Sequence, residues 1–232
     1  MAKMKPILFN TEMVRAILEG RKTVTRRVIK PQPTYSPRDG FSYKGRAYGT
    51  DLPPTIKGAG YNLRCAAPYK VADVLYVRET WCELSKLDDF EEIIEDTEEY
   101  YYRADGSNPT PYNYFIIDGE RRDYPKWKPS IHMPKAAARI FLKVTGVRVE
   151  RLQDMKLTDF FAEGVKNMCD SCNMFPFDKC DTCDREAFTK MCFMALWNST
   201  IKPDQLEYYS WEANPYVWVI EFERIDKLEV AT

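Results

Sequence analysis

The run NPYVWVIEFERI, residues 214–225, constrains the fold of this chain more than any other stretch. Val217, Val219, Glu221 and Glu223 alternate against Trp218, Ile220 and Phe222, the period of two that a strand imposes. The same period recurs in ADVLYVRETW (72–81), where Val74, Tyr76 and Arg78 oppose Leu75, Val77 and Glu79. TVTRRVIK (23–30) reads as another strand ended by PQP, and residues 139–152 read as a strand pair broken at Gly146. Three helices fall between the strands. NTEMVRAILEGRK carries Met13, Val14, Ile17 and Leu18 on one stripe, with Asn10 or Thr11 as cap and Gly20 at its end. LTDFFAEGV is a short helix capped by Thr158, and REAFTKMCFMALWNST sets Phe188, Met191, Cys192, Ala195 and Leu196 at helical spacing. Short strands interleaved with a few helices predict an α+β domain built on a small mixed β-barrel.

The 232 residues are read as one domain, 1–232, decorated by insertions at about 31–70 and 83–125 and by a Cys-rich one at 168–184. A short helix is expected near 88–96. A hydrophobic content of 44%, with 12 Phe, 15 Tyr and 5 Trp, is enough for a packed core. The 34 Lys+Arg and 35 Asp+Glu cancel to a net charge of -1, which excludes a global basic field for drawing in nucleic acid. The charges are segregated, however. Arg15, Arg21, Lys22, Arg26, Arg27 and Lys30 form one basic block, residues 121–143 form another, and acid gathers in 82–102. No apolar run approaches the ~20 residues that span a bilayer, and the apolar stretch of MAKMKPILFN is too short for a signal peptide. The expectation is a cytoplasmic protein whose seven cysteines are not structural disulfides.

Several segments together resemble the ASCH domain family, a branch of the PUA-like β-barrel superfamily. They are the first helix with GRKTVTRR, the strand DVLYVRETW, WKPSIHMPKAAARIFLKVTGVRVERLQDM, the helix FFAEGV, and LWNS with WEANPYVWVIEF. Long members of this arrangement are frequent in phages and prophages. The resemblance implies a PUA-like mixed barrel and two kinds of activity. The first is binding of RNA, or of a modified nucleobase flipped into a pocket. The second is that of the N4-acetylcytidine amidohydrolases, which carry nearly the same GRKTxT and cleave the acetyl amide with Lys, Thr and Glu. By motif, Lys22 and Thr25 match the first two. The Glu of that branch falls about two positions beyond Glu163, where this chain has Val165.

The chemistry of such a site sets conditions. Amide hydrolysis needs a nucleophile, a base and donors for the developing oxyanion. Thr25 can supply the hydroxyl. Lys22 serves as base if burial or neighbouring Arg charge lowers its pKa, and Glu163 orients the ammonium or an attacking water. Because residues three apart in a strand face opposite ways, Lys22 must lie in the turn after Gly20 for it to meet Thr25. For ligand binding, Arg21, Arg26 and Arg27 are candidate phosphate contacts, and Arg78 or Glu79 would stand near the pocket mouth. Trp81 and Trp127 are candidates for base stacking, and His132 is held between two prolines in PSIHMP.

CDSCNMFPFDKCDTC is a separate signal. Cys169, Cys172, Cys180 and Cys183 form two CxxC pairs, the ligand set of a closed structural zinc site. Cys65, Cys82 and Cys192 read as ordinary thiols. Three functions are therefore expected. The leading one is binding of RNA or a modified nucleobase in a basic, aromatic cleft. The others are deacylation of an N4-acylcytidine-like nucleoside by Lys22, Thr25 and Glu163, and contact with a host protein through the insertions.

Overall fold

A computed structural model describes residues 4–49, 62–84, 99–106, 115–117, 120–122, 126–166 and 185–226. In chain order the elements are β1 (Met4–Leu8), α1 (Thr11–Leu18), β2 (Val24–Val28), β3 (Thr34–Ser36), β4 (Gly40–Tyr43), β5 (Arg46–Ala47), β6 (Val74–Arg78) and β7 (Trp81–Leu84). There follow β8 (Glu99–Tyr102), β9 (Phe115–Ile117), β10 (Glu120–Arg122), β11 (Phe141–Arg151), α2 (Leu157–Ala162), α3 (Arg185–Ser199), α4 (Leu206–Tyr209) and β12 (Tyr216–Ile225). The mixture is α+β, as the sequence predicts.

Five strands form one mixed sheet in the order β1-β6-β11-β12-β2, with β1 parallel to β6 and β12 antiparallel to β2. Among the described residues β1 does not pair with β2, so the sheet is open where a barrel was expected to close. Pro6 sits in β1, opposite Tyr76, and has no N–H for a second neighbour. That composition suits an edge.

The chain divides into two compact units. One comprises Met1–Leu18, Val74–Leu142 and Arg224–Thr232; the other comprises Glu19–Asp73 and Lys143–Glu223. In the first, α1 starts at Asn10, whose side chain accepts the Met13 N–H at 2.8 Å, and it buries Val14, Ala16 and Ile17. Trp81, Met133, Ala137, Ala138 and Phe141 pack as one buried apolar cluster of this unit. In the second, Val24, Leu152, Phe160, Phe193, Trp197, Trp211, Val217 and Val219 pack together. Phe160 and Phe193 have ring centroids 5.3 Å apart.

Several local expectations are corrected. Residues 139–152 are not a broken pair, because β11 runs unbroken through Gly146. A Cβ at that position would strike the Glu221 side chain, so glycine is there for close approach and not for a break. The stretch 31–70 is not irregular throughout: β3, β4 and β5 form a small antiparallel sheet within it. The start of α2 is Lys156, whose N–H donates to Asp159 Oδ2 at 2.8 Å, and Thr158 lies inside the helix. The buried stripe of α3 is Thr189, Phe193 and Trp197, while Met191 faces water. The helix expected near 88–96 lies outside the described residues.

Candidate active site

The stretch between α1 and β2 owes its position to α2. Gly20 takes the left-handed φ of +74° that ends a helix. The chain then runs beside the C-terminal end of α2. Thr23 N–H donates to the Ala162 carbonyl at 2.9 Å, and Lys22 pairs with Glu163 as an isolated antiparallel bridge. Residues 22–23 thus satisfy carbonyls that the end of a helix leaves without partners. Lys22 precedes β2 and is not part of it, as convergence with Thr25 requires.

Burial of charge is what marks this corner. Lys22, Thr25, Arg26 and Glu163 are all buried, and Lys22 and Arg26 side chains are 0% exposed. Lys22 Nζ donates to Glu163 Oε2 at 2.6 Å, to the Glu163 carbonyl at 2.9 Å and to the Val24 carbonyl at 2.8 Å. The last contact sets the ammonium beside the peptide bond that joins Val24 to Thr25. Burial pushes the Lys22 pKa below its ordinary value of 10.5, against the pull of Glu163; the positive charges of Arg27 and Arg26 push the same way as burial.

Arg26 completes the cluster. Its Nη1 donates to Glu163 Oε1 at 3.2 Å, so the two carboxylate oxygens of Glu163 serve two different cations. Its Nη2 lies 3.6 Å from Glu150 Oε2 and 3.5 Å from Asp159 Oδ1, near enough for ion pairing. Among the described residues, neither Nε nor Nη2 has a hydrogen-bond partner. Arg148 holds Glu150 from the other side at 2.6 Å and also pairs with Glu221. Arg26, a phosphate-contact candidate from sequence, is thus buried among carboxylates. Arg21 is partly exposed and bonds Glu19 and the Gly164 carbonyl. Burial also lowers the Arg27 pKa, opposed by Tyr69 and Glu163.

The candidates Arg78, Glu79, Trp81, Trp127 and His132 lie in the other unit. Arg78 donates to the carbonyls of Met133, at 2.8 Å, and Ile131, which ties down the loop that carries His132. His132 is exposed in the short turn Ser130–His132. Glu79 is buried and bound at both oxygens by Arg139, at 2.9 and 3.1 Å. Arg139 also grips Asp105 and stacks 3.8 Å from the Tyr102 ring centroid. Trp81 is a buried core residue, with Tyr100 edge-on to its ring and Lys128 Nζ 4.6 Å from the centroid. Trp127 is half-buried against Cys82, whose thiol burial pushes up to about 11. Cys65 is exposed and Cys192 is half-buried. Cys169, Cys172, Cys180 and Cys183 lie outside the described residues.

Glu150 and Asp159 were not singled out from sequence, although both leave a trace there. Arg148 and Glu150 are two apart in a strand, and Asp159 and Glu163 are four apart on a helix, so each pair shares a face. Compared with protein-family models, curated proteins and solved structures, the chain matches none. No helix among the described residues is long and apolar enough to cross a membrane.

Proposed function

We propose that this chain is an amidohydrolase that deacylates an N4-acylcytidine-like nucleoside, with Lys22, Thr25 and Glu163 as its reacting groups on a PUA-like framework. One observation carries the reading: the 2.6 Å contact between the buried Lys22 and Glu163, residues far apart in sequence. Burying two charges costs several kcal/mol per ion, and perturbed ionisable groups of this kind concentrate at reaction centres. The resemblance of GRKTVT to the amidohydrolase branch points to the same lysine and threonine.

In this reading Lys22 passes one proton to Glu163 and, as a neutral amine, takes the proton of the Thr25 hydroxyl. The Thr25 oxygen forms a bond to the acyl carbon. The tetrahedral intermediate expels the cytosine amine, which leaves with the proton that Lys22 returns. Water, deprotonated by Lys22, then attacks the acyl-threonine ester. The bond from the acyl carbon to the Thr25 oxygen breaks, and Lys22 returns the proton to that oxygen as the free acid leaves. Glu163 gives its proton back to Lys22. Arg26 is a positioning residue, holding the second oxygen of Glu163 so that the first stays on Lys22.

Nucleic-acid binding without turnover is the weaker reading. Arg26 and Trp81, two of the groups it relies on, are both buried, Arg26 among carboxylates and Trp81 in an apolar cluster. The test is mass-spectrometric turnover of N4-acylated cytidines by wild type, Lys22→Met, Thr25→Val and Glu163→Gln, with circular dichroism to confirm folding. Wild type should release the acyl group, and each folded variant should lose about 10²–10⁴-fold, the usual contribution of a positioned acid–base group. An inactive wild type would sink the proposal.

A further inference from the structure

We propose that Asp159 and Glu150 are positioning residues of the candidate active site: by sharing Arg26 they keep its guanidinium from closing over both oxygens of Glu163. The inference rests on the reading of Lys22, Thr25 and Glu163 as reacting groups. Its ground is a division of labour among three carboxylates. Glu163 accepts from Lys22 on Oε2 at 2.6 Å and from Arg26 on Oε1 at 3.2 Å. Asp159 accepts the Lys156 N–H on Oδ2 at 2.8 Å and turns Oδ1 toward Arg26 Nη2, 3.5 Å away. Glu150 accepts from Arg148 Nε on Oε1 at 2.6 Å and turns Oε2 toward the same Nη2, 3.6 Å away. Each carboxylate thus has one oxygen on a partner of its own and the other toward a single cation. Separate elements bring them there: Arg26 stands on β2, Glu150 on β11, Asp159 in α2 and Glu163 at its end.

Arg139 shows what a guanidinium does in this chain when it locks a carboxylate. It binds Glu79 through two nitrogens, at 2.9 and 3.1 Å, and Asp105 through two, at 2.9 and 2.8 Å. Such fork-on-fork pairing is the strong geometry for arginine and carboxylate. The Arg26 side chain has no exposed surface and that of Glu163 only 5%, so burial favours the same grip there. Among the described residues that grip is not formed. Arg26 reaches Glu163 through Nη1, while Nη2 stands between Asp159 and Glu150 without a hydrogen bond to either. For stability alone, a buried cation so loosely held is a poor arrangement. What it preserves is Glu163 Oε2, the oxygen on which Lys22 depends. Without the pull of Asp159 and Glu150, Arg26 turns both terminal nitrogens onto Glu163 and competes with Lys22 for that oxygen. Lys22 then loses the acceptor of its proton, and the effect falls on the chemical step rather than on substrate binding.

The test compares wild type with Asp159→Asn, Asp159→Glu and the double variant Asp159→Asn with Glu150→Gln, each as the full chain with its fold checked by circular dichroism. Asparagine and glutamate can both accept the Lys156 N–H, but only glutamate keeps the charge. On N4-acetylcytidine, kcat should fall about 10-fold in Asp159→Asn and about 10²-fold in the double variant. KM should stay within about twofold of wild type, and Asp159→Glu should restore kcat to a similar margin. A role confined to capping α2 predicts wild-type kcat for both single variants, and that result would overturn the inference. Crystal structures read the geometry without turnover. In the double variant both Arg26 Nη atoms should stand within about 3.2 Å of Glu163, and Lys22 Nζ should leave Oε2. An unmoved Arg26 would also overturn the inference. Wild type without turnover would overturn the deacylase reading instead, and the crystal structures would then decide alone whether Asp159 and Glu150 hold Arg26 back. If the double variant does not fold, Asp159→Asn is read in the same two ways.

Discussion

Lys22 is a costly residue to bury, since its ammonium has no exposed surface and depends on Glu163 for compensation. Removing one partner of a buried pair leaves the other charge stranded. Lys22→Met should therefore destabilise the fold by about 3–5 kcal/mol in chemical denaturation, and a loss under ~1 kcal/mol would mean the pair is not fully withdrawn from water. The pH dependence follows from the sign of the shift. The folded pKa lies below 10.5, so in the window between the two the unfolded chain holds a proton that the folded chain has shed. Stability relative to Lys22→Met should rise with pH through that window and fall again as pH is lowered through the folded pKa. A flat difference curve would contradict the lowered pKa. The sequence carried Lys22, Thr25 and Glu163 through a resemblance and a spacing. It did not carry Glu150 or Asp159, because a carboxylate on a strand or short helix shows no sign in one dimension of which buried cation it will meet.

Among elements, α3 shows most clearly why periodicity falls short. Between Phe188 and Trp197 apolar residues occur all round the helix, so spacing alone gives little contrast between faces. Phe160 and Trp211, from elsewhere in the chain, decide the outcome by packing on Phe193. Phe193→Ala should accordingly cost about 3–5 kcal/mol. Met191→Ala should stay within about 0.5 kcal/mol, as expected on a solvent face. Equal losses at the two positions in urea unfolding would restore the stripe inferred from spacing. α1 was legible from both ends, since an Asn cap and a terminal Gly act locally. Gly146 was misread for the opposite reason. Its role is set by Glu221, a residue distant in sequence, and a lone glycine in a strand reads equally as a break or as close approach.

Across the whole molecule, the near cancellation of 34 basic and 35 acidic residues bears directly on function. The charges of the candidate site are spent on one another below the surface, where salt screens little. Turnover of an uncharged nucleoside should change by less than about twofold between 50 and 500 mM salt. Recognition through phosphate contacts would instead lose orders of magnitude over such a range. The α+β class was legible because the strand and helix periods are local. Closure of the sheet was not, because it turns on whether two edges distant in sequence meet.

The most direct test is acyl release from N4-acetylcytidine by wild type and by Glu163→Gln, followed by mass spectrometry on proteins of matched fold. Glutamine keeps the shape of the side chain and its hydrogen bond to Lys22 but cannot take up the proton. The account predicts turnover by wild type and a loss of about 10²-fold or more in the variant. Equal rates in the two proteins, or none in wild type, would contradict it.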